Sequence, residues 1–138
     1  MARFYDIDAA NALVPELADV AGRLRDHRVQ LIALRDEAHA RQAAGVPEGR
    51  AVDASEAAEI RRIDLRMRGI VDQMQAEVMW LVERSIELRD IETGLLDLPA
   101  LVAGRQVWLC WRLGEEKLGY WHELSTGFAG RRPLSDLE

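Results

Sequence analysis

The sequence predicts a mainly α, α+β protein: a long antiparallel two-helix hairpin followed by a small C-terminal antiparallel β hairpin. Three observations predict it. Apolar residues recur by alternating steps of four and three through most of residues 9–91, the period of a helix seam. Gly45, Pro47 and Gly49 break that period within Ala44 to Arg50, which reads as a connector. After Gly94 the composition changes, and Gln106 to Arg131 collects three of the four tryptophans, the only cysteine, the only lysine and one of three histidines.

The first helix, about 9–43, opens after an apolar lead, Met1 to Tyr5. Asp6 or Asp8 can cap it, because a short acceptor side chain satisfies free first-turn N–H groups. Pro15 either kinks this helix or starts its main part, where a missing N–H is tolerated. Leu13, Leu17, Val20, Leu24, His27, Leu31, Leu34 and Ala38 form a heptad seam of coiled-coil type. The second helix, about 53–91, starts where Asp53 and Glu56 stand at capping-box spacing. Ile60, Met67, Val71, Met74, Val78 and Leu81 continue its seam, with Asp64 as a polar break. Ile70, Trp80, Val82 and Ile86 lie off that seam and require another partner, which predicts a two-fold homodimer.

Residues 1–93 are thus read as the helical hairpin and 94–138 as a small β segment packed on it, all one folding unit. Leu95 to Val102 contains Asp97 and Pro99 and reads as an extended edge segment or turn. Val107 to Leu113 alternates as a strand, Gly114 to Lys117 turns, and Leu118 to Leu124 returns. Gly127, Gly130 and Pro133 leave the tail irregular.

The totals narrow the function. A chain of 138 residues fits one domain with a core of its own. A single cysteine makes no internal disulfide, and neither a charged-then-apolar leader nor a membrane-length apolar run is present, so a cytoplasmic protein without membrane attachment is expected. Net charge is −6, with 18 acids and 13 bases in residues 1–93 and six acids and five bases beyond, so nucleic acid is not an expected partner. Seventeen of the 18 bases are arginine, the mark of a GC-rich bacterial genome more than of anion recognition. Arg61, Arg62, Arg66 and Arg68 read as a salt-bridged helix face.

Chemistry concentrates in the hairpin. Cys110, His122 and Glu123, helped by Asp97 or Glu115, combine thiolate, imidazole and carboxylate, a donor set that suits zinc with an open fourth position. The competing reading makes Cys110 a small apolar core residue and His122 a hydrogen-bonded packing residue. Register decides whether they meet. A two-residue loop puts Cys110 opposite Trp121; one more loop residue changes the parity and brings Cys110 beside His122. A Cys–His nucleophile would need an electropositive, accessible thiol, and only Arg112 is near in sequence. Gly127 to Arg132 could bind an anion through backbone N–H groups and arginine forks, or Arg131 could simply tie the tail to Glu115 or Glu123. His27 reads as a seam residue that sets register, and Met67 and Met74 as seam filler.

The string GRQVWLCWRLGEEKLGYWHELSTGFAGRRPL resembles the signature of an uncharacterised prokaryotic family, domain of unknown function family 2203. Gly104-Arg105, Leu109-Cys110-Trp111-Arg112, Gly114-Glu115, Trp121-His122-Glu123 and Gly127-Phe128-Ala129-Gly130-Arg131 are all in place, and Ala10 to Leu17 resembles the family's start. The resemblance supports the chain's boundaries and carries over no activity, substrate or catalytic residue.

The sequence alone therefore puts first a non-enzymatic protein-interaction or assembly module, a homodimer needing no cofactor. Its working surface is Arg112, Glu115, Trp121, His122, Glu123 and Arg131, with a protein as partner. Second comes a metal-dependent or small-anion-binding enzyme centred on Cys110, Arg112, His122, Glu123 and Arg131.

Overall fold

Two long helices and a five-stranded antiparallel sheet make up the α+β fold in the computed structural model, which describes residues 3–45 and 53–137. α1 spans Ile7–Gly45 and α2 Ala54–Glu83. The strands are β1 Glu87–Asp90, β2 Leu95–Val102, β3 Arg105–Arg112, β4 Tyr120–His122 and β5 Arg132–Pro133, hydrogen-bonded in sequence order. Beyond Gly45, the expected connector lies outside the described residues. Neither helix is long and apolar enough to cross a membrane.

Both helices begin at an aspartate. Asp6 Oδ1 accepts the Ala9 N–H at 2.7 Å and Asp53 Oδ1 the Glu56 N–H at 2.8 Å, each satisfying a donor that no preceding turn can reach. Pro15 lies inside α1, which continues through it as one element. α2 does not reach Ile91. Ser85 takes φ 61°, its N–H bonds the Val82 carbonyl, and the Ile86 N–H bonds the Leu81 carbonyl, a Schellman ending. Leu81 and Ile86, which accompany that ending, are both buried. The residues after it form β1, a polar edge strand, where the sequence suggested more helix.

The chain divides into two compact units, Met1–Arg25 with Glu77–Glu138, and Asp26–Ala76. In the second unit, Ile63 and Ile70 are buried while Asp64 and Val71 are exposed. The buried line of α2 there is offset from the seam expected, and Asp64 faces outward to pair with Arg68 at 3.1 Å. Arg62 pairs with Glu59 and Arg41 with Glu56 of α2 at 2.9 Å, so of the four arginines expected on a salt-bridged face Arg62 and Arg68 are ion-paired. His27 is half-buried.

In the first unit, Ala10, Val14, Leu17, Val20, Ala21 and Leu24 of α1 are buried together with Leu81, Ile86 and one face of the sheet. That face carries Leu96, Leu98, Ala100, Val107, Leu109, Trp111 and Trp121, alternate residues on strands paired as Leu96↔Trp111, Leu98↔Leu109 and Leu109↔Trp121. Arg23 and Glu77 join α1 to α2 through two hydrogen bonds of 2.7 and 3.1 Å. Ile70 and Ile86, which the sequence left needing a partner molecule, are thus covered within the chain; Trp80 is half-buried and Val82 exposed.

The small β hairpin expected is instead a five-stranded sheet, and Leu95 to Val102 is an inner strand rather than an edge segment or turn. Pro99 is tolerated in it because β1 pairs β2 only at Leu95 to Asp97, so no neighbouring strand asks for an amide at Pro99 on that side. Its carbonyl accepts the Tyr5 N–H at 2.8 Å. β2 and β3 turn through Ala103 and Gly104, with φ of 52° and 76°, a two-residue primed hairpin. Gly94, at φ 67°, closes against Leu113: a Cβ there would lie 2.5 Å from Leu113 Cβ.

Candidate metal centre

Register assembles the site. β3 and β4 pair Trp108 with His122, Leu109 with Trp121 and Cys110 with Tyr120, the parity that puts Cys110 and His122 on one face. β2 pairs Asp97 directly with Cys110. Asp97, Cys110 and His122 therefore leave the sheet on the side opposite the apolar core, and one ligating atom from each lies within 4.8 Å of the others. All three are buried, Asp97 and His122 at 2% exposure.

Segment 123–131 lies over this face. The Glu123 carbonyl accepts from His122 Nδ1 at 2.9 Å, from the Thr126 N–H at 3.2 Å and from Thr126 Oγ1 at 3.3 Å, which locks the imidazole ring. A carbonyl only accepts, so Nδ1 carries the proton. In the neutral ring Nε2 is then the lone-pair nitrogen, and it stands 2.9 Å from Asp97 Oδ2. Two acceptors at that distance need a proton or a metal ion between them.

Asp97 is used unevenly. Oδ2 also accepts from Arg89 Nε at 2.9 Å, whereas Oδ1 is buried and receives no hydrogen bond among the described residues. An unsatisfied buried carboxylate oxygen is costly unless a donor or a cation meets its lone pairs, and the Cys110 S–H is one such donor. Burial, with the neighbouring Asp97 carboxylate, pushes the Cys110 thiol up from 9.0 to about 12. A thiol so protonated is a poor nucleophile, which weighs against a Cys–His nucleophilic pair; a bound metal would deprotonate it directly. Asp97 and His122 open onto a cleft of about 320 Å3 lined also by Arg89, Leu95, Leu124 and Phe128.

The residues expected to form one surface are dispersed. His122 joins the cluster, but Trp121 is buried on the opposite face and Glu123 turns its carboxylate to Arg105. Asp97 therefore takes the carboxylate place in the candidate ligand set that Glu123 was expected to fill. Arg112, Glu115 and Arg131 stay together: Glu115 accepts the Arg112 N–H at 2.7 Å and both its oxygens accept from Arg131 at 2.8 Å. Arg131 also donates to the Cys110 carbonyl at 3.2 Å and stacks on Tyr120, 3.9 Å from the ring centroid. It fastens the tail, the structural alternative to anion binding by Gly127 to Arg132. Arg112 is exposed beside Phe128. Sequence reasoning missed Arg89 and gave Asp97 only a helping role; the single available signal was one acid inside the apolar run Leu95 to Val102.

Fold and site together define a helical-hairpin α+β protein with a candidate three-ligand centre on the outer face of its sheet. Residues 3–134 match the family described as uncharacterized conserved protein (DUF2203), and the chain belongs to that family. No curated protein and no solved structure matches the chain.

Proposed function

We propose that this chain is a metal-dependent enzyme in which Asp97, Cys110 and His122 hold a transition-metal ion, zinc or iron, with one coordination position open to the cleft. The sequence alone puts an interaction module first; the convergence of these three side chains favours the second reading, and that convergence is the observation that carries it. A purely structural network accounts for less. In such a network a proton stands between His122 and Asp97 Oδ2 and the Cys110 S–H donates to Asp97, which leaves the open cleft beside them without a use. A metal ion uses a nitrogen, an oxygen and a sulfur of types that zinc accepts, and three protein ligands with an open place is the catalytic rather than the structural pattern. The carbonyl that holds His122 Nδ1 supplies the outer support that orients a ligating imidazole.

Elemental analysis of the purified protein tests this reading. About one equivalent of zinc or iron per chain is expected, lost in His122→Ala and Cys110→Ser and retained in Glu123→Gln, whose carboxylate is already engaged by Arg105. Protein that carries no metal and takes up none on dialysis against zinc would overturn the reading.

A second reading, homodimeric assembly, is favoured by one observation: Met79 and Val82 are 53% and 58% exposed near the end of α2. A second copy covering them would sediment at twice 15.6 kDa at micromolar concentration, and a 15.6 kDa species would count against it.

A further inference from the structure

We propose that the open position of this centre takes a small oxyanion, a carboxylate or phosphate group, with one oxygen on the metal and another on Arg89; this rests on the metal reading above. Charge supports it first. A divalent ion is balanced by the Cys110 thiolate and the Asp97 carboxylate, with His122 neutral, and Arg89 then adds one uncompensated positive charge. Asp97 is the sole acid lining the cleft among the described residues, and its neighbours there include Leu95, Leu124 and Phe128. With 42% of its side chain exposed, Arg89 keeps that charge at the mouth of the cleft, where an entering anion meets it.

Arg89 is built to meet that anion. Its Nε is spent on Asp97 Oδ2 at 2.9 Å, the one hydrogen bond it makes among the described residues. Its guanidinium lies over the Trp108 ring, 5.0 Å from the centroid, and 42% of the side chain is exposed. The bond and the ring hold the group at the side of the cleft and leave its Nη donors for a ligand, and a guanidinium matches the paired oxygens of carboxylate and phosphate. A cleft of about 320 Å3 stands at the small end of ligand sites, so the anionic group belongs to a small molecule.

Cobalt-loaded protein provides the test, because a cobalt–thiolate centre absorbs visibly and reports its open position. Inorganic phosphate, acetate and the neutral analogue acetamide are each titrated into it. The visible bands should shift with phosphate or acetate and stay fixed with acetamide, the stronger of the two anions naming the group. Arg89→Gln should bind cobalt with the same thiolate band yet weaken the anion by about tenfold, and Arg89→Lys should restore part of that loss. Cobalt that binds with bands indifferent to both anions, or that respond equally to acetamide, overturns the oxyanion proposal alone. An anion affinity unchanged in Arg89→Gln removes the role of Arg89. No cobalt–thiolate band at all overturns the metal reading with it.

Discussion

His122 Nε2 lies 2.9 Å from Asp97 Oδ2 while His122 Nδ1 is tied to the Glu123 carbonyl, so an acceptor faces an acceptor across the buried face of the site. The metal reading starts from this pair, with Cys110 the third side chain that converges on it. Asp97 also ties Arg89 into the cluster, which makes it the residue on which most of the site's charges depend.

Asp97→Ala should therefore be strongly destabilising. It leaves His122 buried without its partner and frees Arg89, a loss of about 2–3 kcal/mol for leaving buried donors unsatisfied. Urea unfolding of the metal-free protein measures it, and a change below about 1 kcal/mol would mean that the Asp97–His122 contact contributes little.

Cys110 sets an alkaline limit on the metal-free protein. Its thiol is pushed up from 9.0 to about 12 by burial and then by Asp97, so the folded chain holds that proton more tightly than the unfolded chain does. This contribution to stability is in full force below about pH 9 and is lost as pH rises through about 12. Denaturant midpoints of wild type should fall faster over that window than those of Cys110→Ala, and alkylation of the native thiol should stay slow at pH 8.

Metal binding should show the opposite dependence. Displacing the thiol proton makes apparent zinc affinity rise at least about tenfold per pH unit between roughly pH 6 and 8. Competition with a chromophoric chelator measures the slope, and a flat profile would remove Cys110 from the ligand set.

Gly94→Ala combines positive φ with a Cβ 2.5 Å from Leu113 Cβ. The expected loss is about 2–4 kcal/mol, read by thermal or urea unfolding. Gly104→Ala, also at positive φ but with open space around it, should cost less, about 1 kcal/mol.

Arg131→Lys keeps the charge that meets both Glu115 oxygens through Nη2 but cannot reproduce the planar stacking of the guanidinium on Tyr120. Stability should fall by about 1–2 kcal/mol, and amide exchange should quicken first in residues 123–131, which this arginine pins to Cys110 and Tyr120. Uniform exchange across the sheet would show that Arg131 does not fasten that segment.

The helices were legible because their information is local. Asp6 and Asp53 cap where a short acceptor precedes an apolar period, and Leu17, Val20 and Leu24 are buried at the spacing of one helix face. The end of α2 was not, because Ser85 rather than glycine takes the left-handed position and β1 is a four-residue edge strand with a single apolar residue, Leu88, and no alternation to betray it. The hairpin between β2 and β3 was equally hidden, since Ala103-Gly104 lacks the usual asparagine or aspartate signal.

What the sequence by itself determined is the pair of capped helices, the switch to strand chemistry after Gly94, and the presence of thiol, imidazole and carboxylate in one short region. What only the tertiary structure decided is which of them meet. The pairing of Leu109 with Trp121 rather than Cys110 with Trp121 brings Cys110 and His122 to one face, and the pairing of β2 with β3 brings Asp97, not Glu123, to join them. Side chains alternate with every residue along a strand, so a one-residue difference in register reassigns each of them. That difference is set by a connecting loop and by pairing between distant strands, neither of which leaves a period in the chain.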